Sequence, residues 1–120
     1  MGALSNPGAA RNMVYNEVNV YNGAGVVAWT PLYLGAVVGP KLTLVTLKAM
    51  SPTNTIAFRT PGDTDQAYIT CSAVMRGITL AALGNNLWTQ FILWTDAAGA
   101  LEVYMEDTDN YTIDVIGYIN

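Results

Sequence analysis

The feature that most constrains this 120-residue chain is its punctuation. From Val14 to the last residue, short runs rich in β-branched and aromatic side chains are cut by Gly, Pro, Asn or Asp. No stretch sustains a helical period beyond two turns, and the best, Ser72 to Leu83, is interrupted by Gly77. Runs of this length bounded by turn formers read as strands. They fall at Val14–Tyr21, Val26–Thr30 (stopped by Pro31), Leu42–Met50, Thr55–Thr60, Tyr68–Val74, Ile78–Leu83, Trp88–Thr95, Ala100–Asp107 and Tyr111–Ile119. Asp96-Ala97-Ala98-Gly99 joins two of them as a hairpin loop. Eight or nine short strands at near-regular spacing predict an all-β fold, a two-layer antiparallel β-sandwich of jelly-roll type.

Residues 1–13 differ in kind: small, polar and broken by Gly, Pro and Asn, they predict an extended N-terminal arm. Leu4, Pro7, Arg11 and Met13 are its candidate contact residues. Residues 14–120 then form one sandwich domain. A monomer of this size buries roughly two thirds of its surface, which sustains a core without staples. In the last strand Tyr111, Ile113, Val115 and Ile119 are expected on one face, as are Val14, Val18 and Val20 in the first.

Several function classes are disfavoured by composition. Nine acids against five bases give a net charge of −4, with no basic stripe to meet a phosphate backbone. Histidine is absent, which removes the commonest general base and metal ligand. A single cysteine, Cys71, permits neither an internal disulfide nor a zinc cluster and reads as a buried, inert thiol. The N-terminus lacks the blocks of a signal peptide, no apolar run reaches the ~18 residues of a membrane span, and Asn6 breaks the myristoylation pattern that Gly2 begins. The expectation is a protein made in the cytoplasm, with no cofactor, nucleic acid or membrane partner.

Local motifs have bland readings. Gly23 to Ala28 fits a dinucleotide-binding pattern but runs into Trp29-Thr30-Pro31 rather than a helix. Asp63/Asp65 and Asp107/Asp109 have spacings that can wrap Ca²⁺, yet lack the rest of a twelve-residue loop. Asp and Asn also favour turns in their own right. Glu102 and Glu106, on one face of a strand, could serve as a glycosidase pair, but read as solvated outer residues. Arg59 is expected to bridge to Asp63 or Asp65 across the Pro61-Gly62 turn.

The informative signal is apolar character on both faces of two strands. Trp88, Gln90, Ile92 and Trp94 oppose Thr89, Phe91, Leu93 and Thr95; Leu42, Leu44 and Met50 oppose Val45, Leu47 and Ala49. Charged residues make up only 12% of the chain, against about 25% in ordinary domains. Charge depletion of this order favours a face packed against another subunit, with Leu42, Leu44, Trp88, Ile92 and Trp94 as interface candidates. The competing use of the aromatics is a sugar-stacking platform of Trp29, Tyr33, Trp88 and Trp94.

The order VVAWTPLYLGAVVGPKLTLVTLKAM, AFRTPGDTD, LWTDAAGALEVYM and IDVIGYI resembles a group of small β-sandwich domains of bacteriophage virion proteins and related secreted bacterial proteins. The likeness spans Val26 to Ile119 and rests on Thr30-Pro31-Leu32 opening a loop that closes at Val38-Gly39, and on Phe58-Arg59 before an Asp-rich turn. It implies a non-enzymatic virion component and brings no catalytic residues. The expectation is a capsid decoration (cement) protein that assembles as a homotrimer on the major capsid protein. The alternative is a carbohydrate- or receptor-binding module of a tail fibre.

Overall fold

The structure, a computed structural model, describes residues 13–51, 55–63, 79–82 and 87–120. Leu4, Pro7, Arg11, Asp65, Cys71 and the expected strand at 68–74 lie outside the described residues. Eight strands are described: β1 (Met13–Ala24), β2 (Thr30–Tyr33), β3 (Leu44–Met50), β4 (Thr55–Arg59), β5 (Thr79–Ala82), β6 (Thr89–Trp94), β7 (Ala100–Met105) and β8 (Asn110–Ile119). A single helical turn, α1 (Gly35–Val38), follows β2.

The strands form two four-stranded sheets, β1-β8-β3-β6 (sheet A) and β2-β7-β4-β5 (sheet B). Every described pairing is antiparallel. The pairs β1·β8, β2·β7, β3·β6 and β4·β5 nest inside one another, as in a long hairpin rolled across two layers. Apolar alternation supplies the reason. Val45, Leu47 and Ala49 of β3 and Phe91 and Leu93 of β6 are buried, and so are Ile56 and Phe58 of β4 and Leu101, Val103 and Met105 of β7. Removing these side chains from water drives the two inner faces together. Phe58 and Phe91 meet edge to face across the layers, with ring centroids 4.8 Å apart.

Three local expectations are corrected. The segment Val26–Thr30 is not a strand; the chain resumes pairing at Thr30 and runs through Pro31. Proline is tolerated there because β2 lies at a sheet edge and pairs only with β7 among the described residues. Arg59 has its described partner across the ladder, its Nε donating to its register partner Glu102 Oε1 at 2.8 Å; Asp65, one of the two expected turn partners, lies outside the described residues. A directly opposed residue is held in reach by the sheet itself, whereas a turn partner is not.

The third correction creates the site. In the β3–β8 ladder, Thr46 faces Gly117 but Leu47 faces Val115, so Ile116 is an extra residue in β8. Such a bulge inverts the side-chain alternation beyond it. Tyr111, Ile113 and Val115 stay in the core, Tyr118 takes the next inward place opposite Val45, and Ile119 turns outward opposite Leu44. In β1, a second irregularity at Val20 brings Tyr21, rather than a strictly alternating valine, opposite Ile113.

Candidate functional site: the outer face of sheet A

Register places the outward residues of sheet A in rows across its four strands. One row reads Met13, Ile119, Leu44, Trp94. The next reads Tyr15, Gly117, Thr46, Ile92. A third reads Asn19, Asp114, Lys48, Gln90. The face is therefore split into an apolar end and a polar end.

The apolar end is open to solvent. Tyr15 is 95% exposed, Met13 78%, Ile92 60% and Trp94 46%. Between them runs a groove of about 170 Å³ lined by Met13, Val14, Tyr15, Leu44, Thr46 and Ile116–Ile119. Gly117 forms part of its floor. A Cβ at this position would stand 2.9 Å from the Val14 carbonyl oxygen, so close β1–β8 approach favours glycine here.

The polar end is internally satisfied. Lys48 Nζ lies 2.5 Å from Glu17 Oε1 and 3.8 Å from Asp114 Oδ2, and 4.3 Å from the centre of the Trp88 ring. Asn19 Nδ2 donates to Asp114 Oδ1 at 2.7 Å. The Lys48 ammonium holds the Glu17 carboxyl below the usual carboxylate range. The network ties β1, β8 and β3 together and covers one side of Trp88.

Of the five interface candidates, Leu44, Ile92 and Trp94 come together at the apolar end, with Leu42 exposed just before β3. Trp88 sits at the other end, against Lys48. Met13, expected in the arm, is the first residue of β1 and closes the apolar row. Sequence reasoning missed Tyr15 and Ile119. Alternation could have signalled Tyr15, but Ile119 depends on the bulge at Ile116, for which Gly117 inside the strand pattern is the available sequence signal.

The four aromatic residues expected to form a sugar platform are not brought together. Trp29 lies on the outside of sheet B, 5.6 Å from Tyr104 and beneath the Arg59 guanidinium at 4.1 Å. Tyr33 projects from edge strand β2 and is 79% exposed. Trp88 and Trp94 share the outer face of sheet A, but six residues of strand separate them by about 20 Å.

Among the described residues, three of the carboxylates singled out by spacing are engaged in the fold. Glu106 Oε2 accepts from Thr55 N at 2.8 Å, Glu102 accepts from Arg59, and Asp107 Oδ1 accepts from Asp109 N at 2.9 Å. Gly23–Ala28 leads from β1 through irregular backbone into β2, with no helix to receive a pyrophosphate. The fold thus defines an all-β sandwich with an amphiphilic outer sheet face. No known protein family matches the chain, and no curated protein or solved structure shows significant similarity to it.

Proposed function

We propose that this protein is a non-enzymatic structural component that works by assembly, with a second copy seated on the apolar end of sheet A. The observation that carries this is the continuous outward row Met13–Ile119–Leu44–Trp94, backed by Tyr15 and Ile92. A flat sheet face complements another flat, charge-poor face, and this chain is charge-poor throughout. We read the nested strand pairs as a jelly roll. With the resemblance of residues 26–119 to phage virion domains, the reading becomes a capsid decoration protein, trimeric and bound to a capsid shell in the virion.

Light scattering on the purified protein tests the assembly step. The expected result is a trimer that Ile92→Asp converts to a folded monomer, which loses only the concentration-dependent part of the thermal midpoint that assembly adds. A wild-type protein that stays monomeric at high concentration and ignores capsid shells would overturn the reading.

A further inference from the structure

The apolar end is too small to hold two copies together unaided. Four strands at ~4.8 Å spacing give a face about 19 Å wide, and a six-residue strand about 20 Å long. Even the whole face, with strands of six to twelve residues, is a footprint of roughly 550 Å², against about 800 Å² of buried surface per partner in a stable interface. A further covering element is required, and the chain carries one of suitable size and composition.

Resting on the assembly reading above, we propose that residues 1–12 of a neighbouring copy lie in the groove between Tyr15, Leu44, Thr46 and Gly117. These twelve residues continue directly from Met13, which lines the groove. Fully extended they reach about 40 Å, twice the width of the sheet. Gly2, Ala3, Gly8, Ala9 and Ala10 are small enough to lie close against a sheet, and Leu4 and Pro7 supply apolar anchors. The segment has no acid and carries one base, Arg11, in a chain of net charge −4, so it opposes the charge of the body it covers.

Direction selects the neighbour over the same chain. Met13, the first residue of β1, pairs with Ile119, and from there the groove follows β1 onward, toward Tyr15 and Gly117. A chain's own segment would have to reverse sharply to enter it; one arriving from another copy need not. A second recess, bordered by Val38–Lys41 and Asn120, adjoins the groove at Met13, Val14 and Tyr118 and gives such a segment a path in.

The test uses full-length protein with Cys71→Ser, in two populations of different tagged mass. One carries Ser5→Cys and the other Thr46→Cys; they are mixed, re-equilibrated and treated with a short bismaleimide. A mixed-mass product is expected, at least tenfold above that from Ser5→Cys with Thr112→Cys at the polar end. An intact oligomer with no mixed product, or with equal product at both positions, overturns the exchange but leaves the assembly reading standing. A monomeric mixture by light scattering overturns both. As a second readout, Leu4→Asp should weaken self-association at least tenfold while leaving the thermal midpoint of the dilute, dissociated protein unchanged.

Discussion

At the scale of the residue, burial sorts the two faces of one ladder into different roles. Leu47 and Ile92 sit one register step apart in β3 and β6, yet Leu47 is fully buried and Ile92 mostly exposed. Leu47→Ala should cost about 2–5 kcal/mol in urea unfolding, from lost transfer energy and the cavity left behind. Tyr111 carries a different liability. Burial, with the Asp107 carboxylate adding to it, pushes its phenol up to about 12 from the ordinary 10. A raised folded value favours the neutral form, so this contribution to stability is complete below pH 10. It is lost as the pH rises from 10 through about 12. Tyr111→Phe should therefore unfold less readily with rising alkalinity than the wild type, as measured by denaturation midpoints across that range. At Gly99, φ is +78° and a Cβ would collide with the Gly39 carbonyl oxygen. Gly99→Ala should destabilise by more than about 1 kcal/mol, read from the same unfolding curves.

At the scale of the element, β1 is held by one flank. It pairs with β8 through two irregularities and is tied further inward by Glu17 and Asn19 reaching Lys48 and Asp114. Because the folded Glu17 value lies below its ordinary 4.5, its favourable share is complete above that pH. It is lost as the pH falls through the lowered value. Protection of β1 amides, measured against the intrinsic exchange rate at each pH, should fall in that acid window before protection in β3 and β6 does. Glu17→Gln should show low β1 protection at neutral pH and little further change on acidification. Strand positions were largely legible: the expected Leu42–Met50, Thr55–Thr60 and Trp88–Thr95 match β3, β4 and β6 within two residues. Val26–Thr30 differs because an edge strand accepts proline: pairing begins at Thr30 and runs on through Pro31.

At the scale of the whole molecule, the two sheets differ in what they show to solvent. Outside sheet B, Trp29 and Tyr104 pack together beneath Arg59, which pairs with Glu102, so an intramolecular cluster covers part of that surface while Tyr33 at its edge stays exposed. Outside sheet A, the apolar end has no such cover among the described residues. This asymmetry gives the assembly prediction its direction. Arg59→Ala, on the covered face, should lower stability by about 1 kcal/mol or more while leaving the mass in solution unchanged. Ile92→Asp should lower that mass while leaving the stability of the dissociated protein unchanged.

The sequence by itself determined the class of fold and the two-faced character of β3 and β6. Both follow from local rules: β-branched alternation, turn residues, and the scarcity of charge. Which strands neighbour one another was decided only in three dimensions, because nested pairs join residues as far apart as Met13 and Ile119. The bulge at Ile116 was decided there too. One extra residue inverts every later side chain; Gly117 beside it is compatible with a bulge, but only pairing with β3 fixes where the extra residue falls. The apolar row on sheet A exists because that inversion brings Ile119 outward between Met13 and Leu44. Hydrophobic pattern is a property of the chain, but a continuous surface is a property of register, and register is set by all the strands at once.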